Sequence, residues 1–454
     1  ESFPGGRHNF PRFMADTEDD GSASTDAAVI ENASAAPRRW FVTTVQYLRA
    51  HDGEFLYEDH ALPWSATARH LDLTITKTAE YGGEVSFRDG TILIGSFEPM
   101  SADLDANYQL DGGLVHLTRI GLTMDGFESI LSGDVDLFNW PEQTYQIIES
   151  EIDLPTMKGI FFANDNFTVT GDAGFSGAWH IFDGGRELTG AFESDNATLN
   201  GLSFPRLDGS LIWTRDRFEV FDAASGFYGG NFEFTYAMRP LGAPTAGMAS
   251  FETTYTGVEL ALLLDTLKVD GVRPHGRATG QNRLEWPIGD FENRDGAGHV
   301  TVEPPDGMAV LARGLTQVPS GDLRSYARVP FAPAVGPWQF PMGGELSYTV
   351  GPEWVEIAPS RLATPLTAVE FEGRTAYGER SHLLFHLSSA NWQESDRLLA
   401  GIMTAFGTPT REFIVGGHGE LDGVMGGSFV SPRIEAAFTG DDISAWNAMW
   451  GHGS

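Results

Sequence analysis

Residues 226–238 read GFYGGNFEFTYAM. In an extended chain they put Phe232, Phe234, Tyr236 and Met238 on one side and Asn231, Glu233, Thr235 and Ala237 on the other. An aromatic stripe of this kind must touch something: a second layer in a closed domain, or a ligand in an open groove. The alternation recurs along the chain. Leu71, Leu73 and Ile75 stand against Asp72, Thr74 and Thr76, and Leu104, Ala106, Tyr108 and Leu110 stand against Asp103, Asp105, Asn107 and Gln109. Leu346, Tyr348 and Val350 repeat it, as do Leu383, Phe385 and Leu387. One apolar and one wet face per strand suits an antiparallel sheet covered on one side, and does not suit a doubly wound parallel sheet.

Composition points the same way. The 54 glycines among 454 residues imply frequent tight turns and short strands. Glycine turn, strand, tight turn, strand recurs at "YGGEVSFRDGTILI" from 81, "DGGLVHLTRIGLTMDG" from 111, "LDGSLIWTRDRFEVFD" from 207 and "GGELSYTVGPEWVEIAP" from 343, too irregularly for a solenoid of fixed period. Helical signals are few: 258–269, 392–406 with Ser389 or Asn391 as cap and Gly407 as stop, and a short one within 154–162. Residues 1–39 read as a polar, acidic, linker-like segment, 40–240 as a first β-repeat segment, 241–331 as a short helix plus strands, and 332–454 as a second β-repeat segment. The chain starts at Glu1 and reads as an interior piece of something longer.

A formal charge of −34 repels a phosphate backbone and an anionic membrane surface, which argues against nucleic acid as a partner. With no cysteine, disulfides, thiolate catalysis and Cys-ligated zinc are excluded. No apolar run approaches the roughly 18–20 residues that cross a bilayer as a helix.

Catalytic and metal motifs fail on spacing. In "AGFSGA" (173–178) the glycine after Ser176 comes one position too early for a nucleophile elbow. Asp103, Asp105 and Asn107 start a calcium-loop pattern that Tyr108 and Leu114 break. His382 and His386 lie in a strand-like run, where four residues span about 13 Å, too far to share a zinc ion. In "GGHGELDG" (416–423) Asp422 stands where a dinucleotide fingerprint needs glycine. No cofactor, metal or catalytic residue is expected, and the chain reads as a non-enzyme.

The stretches "LTRIGLTMDGFESILSGDVDLFNWPEQTYQIIESEIDL" (117–154), "GVELALLLDTLKVDGVRPHGRATGQNRLEW" (257–286) and "GGHGELDGVMGGSFVSPRIEAAFTGDDISAWNAMWG" (416–451) resemble the AsmA-like and TamB-like group of envelope proteins. The resemblance implies an elongated, curled antiparallel β-sheet with a hydrophobic groove, standing in the periplasm of a diderm bacterium and anchored to the inner membrane by an N-terminal helix. It also implies phospholipid transport between the inner and outer membranes and outer-membrane biogenesis, with an outer-membrane barrel partner reached through a C-terminal region. Neither terminal feature is present in this sequence. Tandem closed β-sandwiches are the alternative fold, and a scaffold or chaperone for outer-membrane protein assembly and secretion is the alternative function. On the groove reading, Leu71, Leu73, Ile75, Leu104, Tyr108, Leu110, Phe232, Phe234, Tyr236, Met238, Leu346, Tyr348, Val350, Leu383, Phe385 and Leu387 line it and touch phospholipid acyl chains.

Overall fold

In a computed structural model of the chain, the described residues are 2–3, 7–8, 46–59, 64–94, 97–163, 167–241, 247–311, 338–378, 380–405, 410–428, 431–445 and 448–453. The segment 1–39 (apart from the two short strands within it), the junction at 331/332 and the helix stop at Gly407 lie outside them. The protein is 71% strand and 9% helix, with one antiparallel sheet of 22 strands that is not closed into a barrel. Two-residue strands at Ser2–Phe3 and Arg7–His8 join that sheet. This long sheet agrees with the sequence reading and departs from tandem closed sandwiches; two small sheets, of three and two strands, accompany it among the described residues.

The strands form where the alternation places them. Trp64–Lys77, Met100–Asp111, Gly230–Arg239, Gly343–Val350 and Ser381–Ser389 carry the five apolar stripes. Successive strands pair as hairpins. The turn before the opening stripe is Tyr228-Gly229, flanked by the pair Phe227 and Gly230, with φ of 43° and 84°. Both central residues thus adopt positive φ, as a two-residue turn matching the strand twist requires. Tyr228 is an unusual residue there, and its hydroxyl accepts a hydrogen bond from Ser203 N at 3.2 Å.

Among the described residues three α-helices interrupt the strands: α1 (Leu154–Phe161), α2 (Leu260–Thr266) and α3 (Trp392–Ala405). Asp153 caps α1 by accepting from Thr156 N at 2.9 Å. Asn391 caps α3 through Gln393 N at 3.0 Å. Hydroxyls then tie α3 to strand ends: Ser395 lies 2.8 Å from Thr367 and 2.7 Å from Ser389. Asp396 accepts from Phe413 N and Ile414 N at 3.0 and 2.8 Å.

The chain divides into two compact units. The first comprises 1–152, 159–161 and 175–188, and the second comprises 153–158, 162–174 and 189–454. The second has a small packed core: Phe204, Phe227, Val258, Ala278 and Val302 are buried, with Leu260 and Leu263 of α2 packed against them. Phe232, Tyr255 and Val300 also reach this core.

Candidate functional site

Residues directly opposite one another in an antiparallel sheet point to the same face, so the register shows which stripes share a face. In the second unit, Phe234 stands opposite Thr253, Thr253 opposite Asn282, Asn282 opposite Gly298, and Gly298 opposite Tyr348. The line continues through Ile357, Gly373, Leu383, Met425 and Ile434. A parallel line joins Phe232, Tyr255, Gly280, Val300 and Leu346. A further one joins Tyr236, Phe251, Leu284, Gly296, Val350 and Val355. The stripes at 232–238, 346–350 and 383–387, far apart in sequence, therefore lie on one face of one sheet.

The first unit has an apolar face of its own. Leu73 stands opposite Val85, Val85 opposite Ala106, Ala106 opposite Ile120, Ile120 opposite Leu131 and Leu131 opposite Ile147. Leu104 and Leu110 pair with Leu122 and Val115 on the same face. Tyr108 lies over Gly83, its hydroxyl donating to Thr74 O at 2.8 Å.

Each residue named for the groove is half-buried, while Ala106 of the second stripe is buried. Within the opening stripe the environment changes along the strand. Phe232 packs on the core, its ring 5.5 Å from Phe204 and 5.1 Å from Phe227. Phe234 touches rings of its own face, Phe232 at 5.8 Å and Phe251 at 5.7 Å. Tyr236 lies 6.2 Å from both Phe218 and Trp286. The stripe thus starts as core and continues as an aromatic carpet.

One patch on this face is polar. Tyr348 donates to Asn282 Oδ1 at 2.8 Å, and Asn282 Nδ2 reaches Thr253 Oγ1 at 3.5 Å. Burial pushes both the Tyr255 and Tyr348 phenols above their ordinary range, a hydrogen bond from Asn282 partly offsetting this at Tyr255. In the first unit, burial likewise pushes Tyr145 up to about 12, its hydroxyl donating to Gln143 Oε1 at 2.7 Å.

The opposite face is wet and carries charged and polar pairs. Arg283 lies 3.3 Å from Glu252, Arg374 2.7 Å from Glu356, and His386 2.7 Å from its cross-strand partner Asp422. His386 and His382 sit in one strand, as the spacing required. Asp105 is held by Arg88 at 2.7 Å, and Asp103 accepts from Asp89 N at 2.9 Å, so both serve strand contacts. The Asp52 carboxylate, hydrogen-bonded at 2.7 Å to His70, raises the His70 pKa.

A cavity of about 1280 Å³ in the second unit takes in Glu233-Phe234-Thr235, Glu252-Thr253-Thr254 and Gln281-Asn282-Arg283. It omits the apolar-face neighbours Phe232, Tyr236, Phe251 and Tyr255. That pattern belongs to a trough on the wet face, where Ala297, Pro359 and Leu384 join the polar side chains, so it is separate from the apolar face. Among the described residues, no group of three or more His, Asp or Glu side chains could hold a metal ion.

Alternation alone did not reveal Thr253, Asn282, Phe251, Leu284 or Trp286 as members of this face, because a polar residue or an isolated Trp acquires a face only through its register. No protein-family profile, no curated protein and no solved structure matches this chain.

Proposed function

We propose that this chain is a lipid-conducting groove protein, in which an apolar sheet face carries phospholipid acyl chains between the inner and outer membranes of a diderm envelope. On this proposal the protein is periplasmic, serves outer-membrane biogenesis and performs no catalysis. What supports the reading is the half-burial of large apolar side chains aligned by register, from Phe234 and Tyr236 through Tyr348 to Leu383 and Phe385. In a closed sandwich these would be core residues, and cores of that kind hold Phe, Leu and Ile fully buried. Large apolar side chains held short of full burial along a continuous face leave apolar surface that a bound ligand would cover. An acyl chain needs no polar specificity residue, since each buried methylene contributes about 0.8 kcal/mol and neighbouring positions along the face are nearly equivalent. That equivalence permits sliding.

The test is the material that co-purifies. Protein isolated without delipidation and analysed by native mass spectrometry should carry phospholipid, and the stripped protein should take up a fluorescent phospholipid. Recovery of bound peptide segments with no lipid would favour the scaffold role in outer-membrane protein assembly and refute the lipid reading.

A further inference from the structure

We propose that Tyr255, Asn282, Tyr348 and Thr253 form a binding site for lipid ester carbonyl oxygens, so that the apolar face of the second unit recognises acylglycerol esters and not hydrocarbon alone. This rests on the acyl-chain reading above and adds a chemical class to it.

The patch is built into the sheet by glycines. A side chain begun at Gly280 would put its Cβ 2.6 Å from the Tyr255 hydroxyl oxygen, and one at Gly298 would stand 2.5 Å from that of Tyr348. Each tyrosine therefore lies flat across a glycine of the adjacent strand, and Asn282 stands in the same strand as Gly280 and opposite Gly298. The two rings approach Asn282 from either side. Substituting either glycine would lift a ring and break the arrangement.

Its hydrogen-bonding inventory leaves two hydroxyl hydrogens over. Three hydroxyls and a side-chain amide supply five hydrogens. The Tyr348 hydrogen goes to Asn282 Oδ1 at 2.8 Å, one amide hydrogen points to Thr253 Oγ1 at 3.5 Å, the outer limit of a bond, and the other serves the Tyr255 oxygen. For the Tyr255 and Thr253 hydroxyl hydrogens, no acceptor lies within hydrogen-bond distance among the described residues. A ligand acceptor would take both of these hydrogens, and on the acyl-chain reading the ester carbonyl is the acceptor at hand.

Charge narrows the class. The nearby guanidinium, Arg283, adjoins Asn282 in sequence and so points to the wet face, where Glu252 and Glu285 hold it at 3.3 and 2.6 Å. A phosphate or carboxylate here would be desolvated without a cation, which costs several kcal/mol. An ester carbonyl is neutral and accepts two hydrogen bonds. On the adjacent register line, Phe251 and Leu284 offer apolar surface for the chain that leaves the ester.

The experiment compares two lipids that share headgroup and chains: dioleoyl phosphatidylcholine and its dialkyl ether analogue, which lacks both carbonyls. Each displaces a fluorescent lipid from the full stripped chain. The ester should bind about three- to tenfold more tightly, the span of one or two neutral hydrogen bonds. Tyr255→Phe keeps the ring over Gly280 and should abolish that preference while leaving ether affinity unchanged, and Thr253→Val should reduce it. Equal affinity of the unaltered protein for ester and ether overturns this proposal and leaves the acyl-chain reading standing. Failure of both lipids to bind overturns the acyl-chain reading, and this site with it.

Discussion

Replacing Phe234 by Glu separates an open apolar face from a closed core. Phe234 is half-buried, and its ring contacts Phe232 and Phe251 at 5.8 and 5.7 Å. Fully burying a Phe side chain is worth about 1.5–3 kcal/mol, and Phe234, with most of its surface covered, contributes about 1–2.5 kcal/mol of that. The two ring contacts add about 0.5–1.5 kcal/mol each at most. On an open face the new carboxylate still reaches water, so the empty protein should lose roughly 2–5 kcal/mol. Beneath an acyl chain the same carboxylate is desolvated, and the several kcal/mol that this costs should empty the face of lipid. Glu233→Gln alters the exposed neighbour on the other face and should change neither quantity. Denaturant unfolding measures the first effect, and lipid stoichiometry by native mass spectrometry the second. A Glu variant that fails to fold would mark the position as closed core. A folded variant with unchanged lipid content would refute the groove.

Three further outcomes follow from the geometry. Gly298→Ala places a methyl against the Tyr348 ring and should cost about 1–3 kcal/mol by overpacking plus about 1 kcal/mol for the Tyr348–Asn282 hydrogen bond, whereas Gly121→Ala, whose Cβ would meet nothing closer than 3.9 Å, should be nearly neutral in thermal melts. Because Tyr145 is pushed up to about 12, the unfolded chain loses that proton first as pH rises past about 10, so stability should fall between pH 10 and 12 by on the order of 2 kcal/mol, and Tyr145→Phe should flatten that slope. The Asp52 carboxylate raises the His70 pKa, so its stabilising effect is fully present below the ordinary His value near 6.5 and is lost as pH rises through the folded value. The His70 NMR midpoint should lie above 6.5 and return towards it in Asp52→Asn.

The strands and their apolar faces were legible because alternation is a local property. Leu71-Leu73-Ile75, Phe232 to Met238 and Leu383-Phe385-Leu387 each needed only their own residues to be read. The three helices were legible for the same reason, though Val258 and Glu259 belong to the preceding strand. β-Bulges were hidden. Leu117 and Ile120 share a face although three positions apart, because the register shifts between them, and the same happens between Tyr255 and Val258 and between Ile357 and Ser360. A strict period of two misplaces one side of each bulge. The polar patch was hidden for a different reason: Asn282 joins Tyr255 and Tyr348 only through pairings across the sheet, and glycines 280 and 298 acquire meaning only beneath those rings.

The most direct test of the central claim is facing. A photoreactive amino acid placed in turn at 231, 233, 234 and 236 in the native cell, followed by detection of radiolabelled phospholipid on the purified protein, asks which side of one strand meets lipid. Capture at 234 and 236 with none at 231 and 233 is the predicted result. Capture at 231 and 233 alone, or at no position in a protein that remains folded, would contradict it.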